Sequence, residues 1–160
     1  LVSTQGWQTY RNEPFGFEFK HPQGWSHIIT IHPGLNINPG LDWFSDLYTQ
    51  DECKLTCSID FSIPYRGTLV PMLYVYIDHG NLQFEMNRLK SDKTIKRQLF
   101  NKNGMMVLKE SYITDGISYY SYTVQNDQRI FTFNFGEIAD LTENKKQLFE
   151  TIFNSFHFFH

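Results

Sequence analysis

Phe15-Gly16-Phe17-Glu18-Phe19-Lys20-His21-Pro22-Gln23-Gly24-Trp25 is the stretch that decides the fold. Phe15, Phe17 and Phe19 alternate with Gly16, Glu18 and Lys20, so an extended chain sends three rings to one side. Pro14 opens the segment and Pro22 closes it, and Pro22-Gln23-Gly24 turns the chain into Trp25. This predicts the first strand of a sheet near residues 15–20, laid into a core, with Trp25 as an anchor at the turn. Residues 1–9 read as a polar lead-in containing Trp7, and residues 10–160 as one domain.

Downstream, Ile28, Ile29 and Ile31 supply a second strand. Pro33-Gly34 and Asn38-Pro39-Gly40 then mark an irregular loop. Leu41 to Tyr48, with Trp43 and Phe44, fits either a short helical turn or a loop on a sheet edge. Ile59, Phe61 and Ile63 alternate with polar residues, which predicts a strand that Pro64 stops. Leu69 to Ile77 is the next strand, with Pro71 near its start. Leu82, Met86 and Leu89 share one helical face, and Asn81 is the expected N-cap of that helix.

The C-terminal half predicts a four-strand antiparallel meander. Asn103-Gly104 is a hairpin signal because both residues tolerate positive φ. Turns near Asp115-Gly116 and Asn126-Asp127 separate the later strands, the last carrying Phe131, Phe133 and Phe135 in alternation. A closing helix over residues 142–154 follows, with Asp140 and Glu143 in capping-box spacing and Leu148, Phe149, Ile152, Phe153 and Phe156 as its apolar stripe. Antiparallel strands with helices segregated to the faces give an α+β class.

Composition narrows the function classes. The 160 residues carry 17 % aromatics, 15 of them Phe, which favours a β-rich core over disorder. The net charge is −3, and the one basic run, Lys90 to Arg97, is interrupted by Asp92, so no nucleic-acid partner is expected. No apolar run approaches the roughly 18 residues that cross a bilayer. Leu1 rather than Met opens the sequence, so a preceding segment such as a signal peptide is expected to have been removed, and any membrane contact to run through that missing anchor.

Three places together resemble the PsbP-like family and its bacterial extracytoplasmic relatives. They are Tyr10-Arg11-Asn12-Glu13-Pro14-Phe15-Gly16-Phe17-Glu18-Phe19 running into Pro22-Gln23-Gly24-Trp25, the hairpin-rich middle, and Phe149-Glu150-Thr151-Ile152-Phe153-Asn154-Ser155-Phe156. The resemblance implies an α/β/α sandwich around a central antiparallel sheet and an extracytoplasmic address: periplasmic, secreted or lipoprotein-tethered. It carries over no site residue, because its motifs are structural.

The chemistry-bearing residues are sparse. There is no Gly-x-Ser-x-Gly elbow, no Gly-rich phosphate loop and no helical His pair, so no enzyme is expected. His27, His32 and His79 stand at strand ends and would bind a divalent metal if those ends converge. Cys53 and Cys57 would lie about 13 Å apart on a strand, so a disulfide needs residues 51–56 to be non-extended; two free thiols are the alternative. Tyr74, Tyr76, Tyr112, Tyr119, Tyr120 and Tyr122 either line the sheet beneath the helices or form a binding face, and Trp43 and Phe44 are candidate partner contacts. The resulting expectation is a non-enzymatic interaction or assembly module with a protein partner and no cofactor. The alternative is a metal- or small-ligand-binding domain built on the strand-end histidines.

Overall fold

A computed structural model describes residues 2–32, 56–88, 94–114, 117–138 and 143–159. The strands are β1 (Gln8–Asn12), β2 (Phe17–His21), β3 (Ser26–His32), β4 (Thr56–Tyr65), β5 (Thr68–His79), β6 (Lys96–Lys102), β7 (Met105–Thr114), β8 (Ile117–Asn126), β9 (Arg129–Ile138) and β10 (His157–Phe158). The helices are α1 (Leu82–Arg88) and α2 (Glu143–Ser155). The class is α+β, with a central antiparallel sheet of order β3-β4-β5-β9-β8-β7-β6. A second sheet of order β1-β2-β10 packs on it. Among the described residues, no helix is long and apolar enough to cross a membrane.

The meander β6 to β9 follows its turn chemistry. Asn103 and Gly104 both take positive φ, 51° and 87°, as the two-residue hairpin between β6 and β7 requires. Arg66 and Gly67 do the same between β4 and β5. Asn81 caps α1, its Oδ1 accepting the Phe84 amide at 2.7 Å. Asp140, the expected cap of α2, lies outside the described residues.

Four expectations change. Phe15 to Phe19 is not one continuous strand. Gly16 takes φ 63°, and a Cβ there would lie 2.9 Å from the Phe159 carbonyl oxygen, so the chain turns at Gly16 and β2 starts at Phe17. Nor does this strand join the central sheet. It pairs with β1, which begins at Gln8 inside the expected lead-in, and with β10, which follows the closing helix. Pro64 does not stop β4, which continues to Tyr65. Beyond Ser62, β4 has no β3 partner, so the missing N–H costs no ladder bond on that side. Pro71 sits opposite Ser62 at a bulge in the β4–β5 ladder, two residues before β9 begins to pair with β5.

The core lies between the central sheet and a cover made of α2 and the small sheet. Phe131, Phe133 and Phe135 of β9 point into it, with Phe61 from β4, Phe17 and Phe19 from β2, and Phe149, Phe153 and Phe156 from the α2 end. Phe133 is fully buried and meets Phe19, Phe153 and Phe156 edge-on, at 5.6, 5.6 and 4.8 Å between centroids. Trp25 is buried at the β2–β3 turn, as expected of an anchor.

Candidate functional site

The motif residues at the two chain ends hold the cover in place. Asn12 is buried, donates from Nδ2 to the Tyr10 hydroxyl at 3.0 Å, and accepts the Phe15 amide at 3.2 Å. At the other end, Ser155 Oγ accepts the Lys20 amide at 2.8 Å and donates to the Ile152 carbonyl at 2.6 Å. Asn12 thus fixes the turn from β1 into β2, and Ser155 joins β2 to α2.

Alternation along each strand then sorts the polar side chains onto two faces. On β7, Val107 and Lys109 share the core-facing phase; on β8, Tyr120, Tyr122 and Val124 do so. Lys109 lies opposite Tyr122 and reaches up to α2, where its Nζ is 3.1 Å from Glu150 Oε1. Its ammonium also sits 5.0 Å from the Tyr120 ring and 5.4 Å from the Tyr122 ring. Tyr122 is buried and stacks on Phe153 at 4.2 Å. Gln98, Phe100, Lys109, Tyr122, Glu150 and Phe153 enclose most of a groove of about 280 Å³ between α2 and strands β6 to β8.

Protonation defines what this cluster can do. Burial alone would lower the Lys109 pKa, but the hydrogen bond to Glu150 and the charge of the neighbouring tyrosines outweigh it, and the net shift is upward. Burial pushes the Tyr122 hydroxyl up to about 12, against the opposing charge of Lys109 and with that of Glu150. At neutral pH Lys109 is therefore an ammonium and Tyr122 a protonated phenol. Neither is poised as a nucleophile or general base; both are donors for an acceptor entering the groove.

Lys102 closes one end of this region. Its Nζ donates to the carbonyls of Phe153 and Phe156 at 3.1 and 2.8 Å, satisfying the C-terminus of α2, whose last turn carries no basic residue. Burial lowers the pKa of this ammonium.

His27 does not approach His79 in the described structure. His27 is aligned across β4 with Leu73 of β5, whereas His79 ends β5 six residues later, about 20 Å away by strand rise. The His27 ring lies on Tyr10 at 4.9 Å and Phe61 at 5.5 Å, and burial lowers its pKa. His32 ends β3. Among the described residues, no group of three His, Cys, Asp or Glu side chains could hold a metal ion. Cys57 is buried on β4; Cys53, Trp43 and Phe44 lie outside the described residues.

The tyrosines divide between the faces. Tyr120 and Tyr122 belong to the core side, and Tyr74, Tyr76, Tyr112 and Tyr119 to the other. There Tyr74 stacks on Tyr76 at 6.0 Å and Tyr112 on Tyr119 at 4.8 Å. Sequence reasoning missed Lys109 and Glu150. The available signal was a lysine two residues from Val107, in the buried phase of a strand.

No family model matches the chain, and no curated protein matches it. Among solved structures it is similar to the solution structure of cyanobacterial PsbP (CyanoP) from Synechocystis sp. PCC 6803, at a TM-score of 0.54 and 18 % identity, over 99 % of this chain and 95 % of that one. The likeness is one of fold: the α+β architecture here matches the PsbP-like α/β/α sandwich across nearly its whole length.

Proposed function

We propose that this chain is a non-enzymatic, extracytoplasmic protein-interaction or assembly module of the PsbP-like family. The observation that carries this reading is the groove between α2 and the β6 side of the sheet. It gathers two donors fixed in their protonated forms, Lys109 and Tyr122, beside aromatic walls, which suits recognition of a partner's acceptor groups. The fold likeness to cyanobacterial PsbP supports the family and the compartment. A Cys53–Cys57 bridge belongs to the same reading, since structural disulfides persist in oxidising compartments. Trp43 and Phe44 are retained as a further contact.

Site-specific photocrosslinking tests it. A photoreactive phenylalanine analogue at Gln98, Tyr76 or Trp43 should capture a discrete protein from the extracytoplasmic fraction of the native cell. Failure to form an adduct at all three positions, or recovery of the chain in the cytoplasmic fraction, would overturn the proposal. Alkylation of the purified chain should label neither cysteine until a reductant is added; labelling without reductant would remove the bridge.

A further inference from the structure

The tip of the β6–β7 hairpin carries the one Asn-Gly step in the sequence, Asn103-Gly104. Both residues are exposed, and their φ values of 51° and 87° make a type I′ turn between Lys102 and Met105. An Asn-Gly step is also the one most open to attack by its own backbone. The Gly104 nitrogen can close on the side-chain carbonyl carbon of Asn103, because glycine has no side chain to block the approach.

The folded hairpin holds that reaction off in two ways. Ring closure needs Asn103 Cβ and the Gly104 nitrogen eclipsed about the Cα–C bond. A type I′ turn sets ψ at its first central residue to about +30°, which leaves the two nearly anti. The Gly104 amide also donates to Asn101 Oδ1 at 3.0 Å, so the proton that must leave before attack is held. This bond is no part of the β6–β7 ladder; it is a side-chain guard laid across the turn.

We infer that Asn103 is a latent modification site, kept closed by Asn101 as a positioning residue and opened when the hairpin loosens. The chemistry needs only water. The Gly104 amide gives up its proton, and its nitrogen bonds to Asn103 Cγ. The side-chain nitrogen leaves as ammonia, carrying that proton, and a succinimide remains. Water then opens the ring, to aspartate at one carbonyl or to isoaspartate at the other. Isoaspartate runs the main chain through Cβ and so lengthens the turn by one atom. The distortion falls next to Lys102, whose Nζ holds the Phe153 and Phe156 carbonyls at 3.1 and 2.8 Å. Conversion at Asn103 therefore loosens the tie between β6 and the C-terminal end of α2.

The test incubates the full chain at mildly alkaline pH, folded and in urea, and follows mass and isoaspartate in the peptide that spans the hairpin. Replacing the side-chain amino group by hydroxyl adds one mass unit, which separates this site from Asp115-Gly116, whose rearrangement adds none. Conversion in urea should outpace conversion in the folded chain about tenfold or more. When folded, Asn101→Ala should convert about fivefold faster than the parent, and its Gly104 amide should exchange hydrogen faster by a like factor. In urea the two should convert equally. Asn101→Asp keeps an acceptor oxygen and should restore protection, a result that misfolding could not give. In the isoaspartate form, the amides at the end of α2 should shift while those of β1 stay in place. Equal conversion of folded and unfolded chains, no gain in Asn101→Ala, no protection by Asn101→Asp, or an unchanged α2 end after conversion would each overturn the inference.

Discussion

The two faces of the seven-stranded sheet are built from the same strands and differ in almost every other respect. The inner face carries Phe61, Leu73, Val75, Ile77, Val107, Val124 and the three β9 phenylalanines, all at or near zero exposure. The outer face carries Asn134, Thr132, Ser121, Glu110 and the two stacked tyrosine pairs. It is held by cross-strand polar contacts such as Thr123 Oγ1 to Thr132 Oγ1 at 3.1 Å and Arg97 Nε to Glu110 Oε1 at 2.8 Å. α1 covers one end of it, where the Leu82 amide donates to Gln125 Oε1 at 2.9 Å. The lesson is that burial, not strand propensity, sets what each position contributes. The inner face is therefore expected to carry more of the stability, although Leu82, Leu108 and Ile130 are buried on the outer side near α1.

The largest expected effect tests that contrast directly. Phe133→Ala removes a fully buried ring with three aromatic neighbours and should cost about 3–5 kcal/mol in urea unfolding. Tyr76→Ala, on the outer face at 37 % exposure, should cost about 1 kcal/mol or less. Equal costs would mean that the outer face is a second core.

Lys109 breaks the pattern, being a cation on the apolar side. Its stem lies against Tyr120 and Tyr122 while its charge reaches Glu150 at the rim, with the lysine side chain 21 % and the glutamate 38 % exposed. Lys109→Met keeps the stem and deletes the charge. The expected loss is about 1 kcal/mol in thermal or urea unfolding, because Glu150 remains partly solvated. A loss several times larger would show that the pair organises the α2 contact instead of decorating it.

What the sequence could and could not reveal follows the same division. The inward phases of β4, β5 and β9 were legible because apolar and polar residues alternate there with period two. The hairpins were legible because Asn103-Gly104 needs positive φ. Phe15 to Phe19 misled because alternation is blind to a turn at glycine: Gly16 fits the pattern of a strand, yet Phe159 needs the space its missing Cβ leaves. β10 was invisible because two residues are too few for any period. The groove was hidden for another reason. Gln98, Lys109, Tyr122 and Glu150 come from three strands and a helix, and only the β6-β7-β8 register and the placement of α2 bring them together.

A smaller effect should appear with pH, and it belongs to the inner side. His21 is buried against Trp25 and Phe61, with Nδ1 3.0 Å from the Pro22 carbonyl oxygen. Burial lowers its pKa below 6.5, and the Pro22 contact only partly opposes this. His27, against Tyr10 and Phe61, is lowered by burial as well. Below pH 6.5 the unfolded chain therefore takes up protons that the folded chain resists. The stability these two groups contribute is complete above pH 6.5 and is lost as pH falls through their folded values. Unfolding midpoints at pH 8, 6.5 and 5 should show a decline on the acid side, reduced in His21→Phe. An undiminished decline in that variant would shift the effect to His27 or the carboxylates.

The smallest expected effect is none at all, and it marks the limit of the comparison between faces. His27 takes the inward phase of β3, opposite Phe61, while His79 ends β5 beside Arg129. Six residues of strand, about 20 Å, separate their levels in the sheet. Metal–nitrogen bonds near 2 Å allow two ligating side chains no such span. His27→Ala should therefore leave the response of the melting temperature to zinc, calcium and manganese unchanged. A rise with one metal that disappears in both His27→Ala and His79→Ala would require the two strand ends to meet. That would overturn the register and the separation of the two faces built on it.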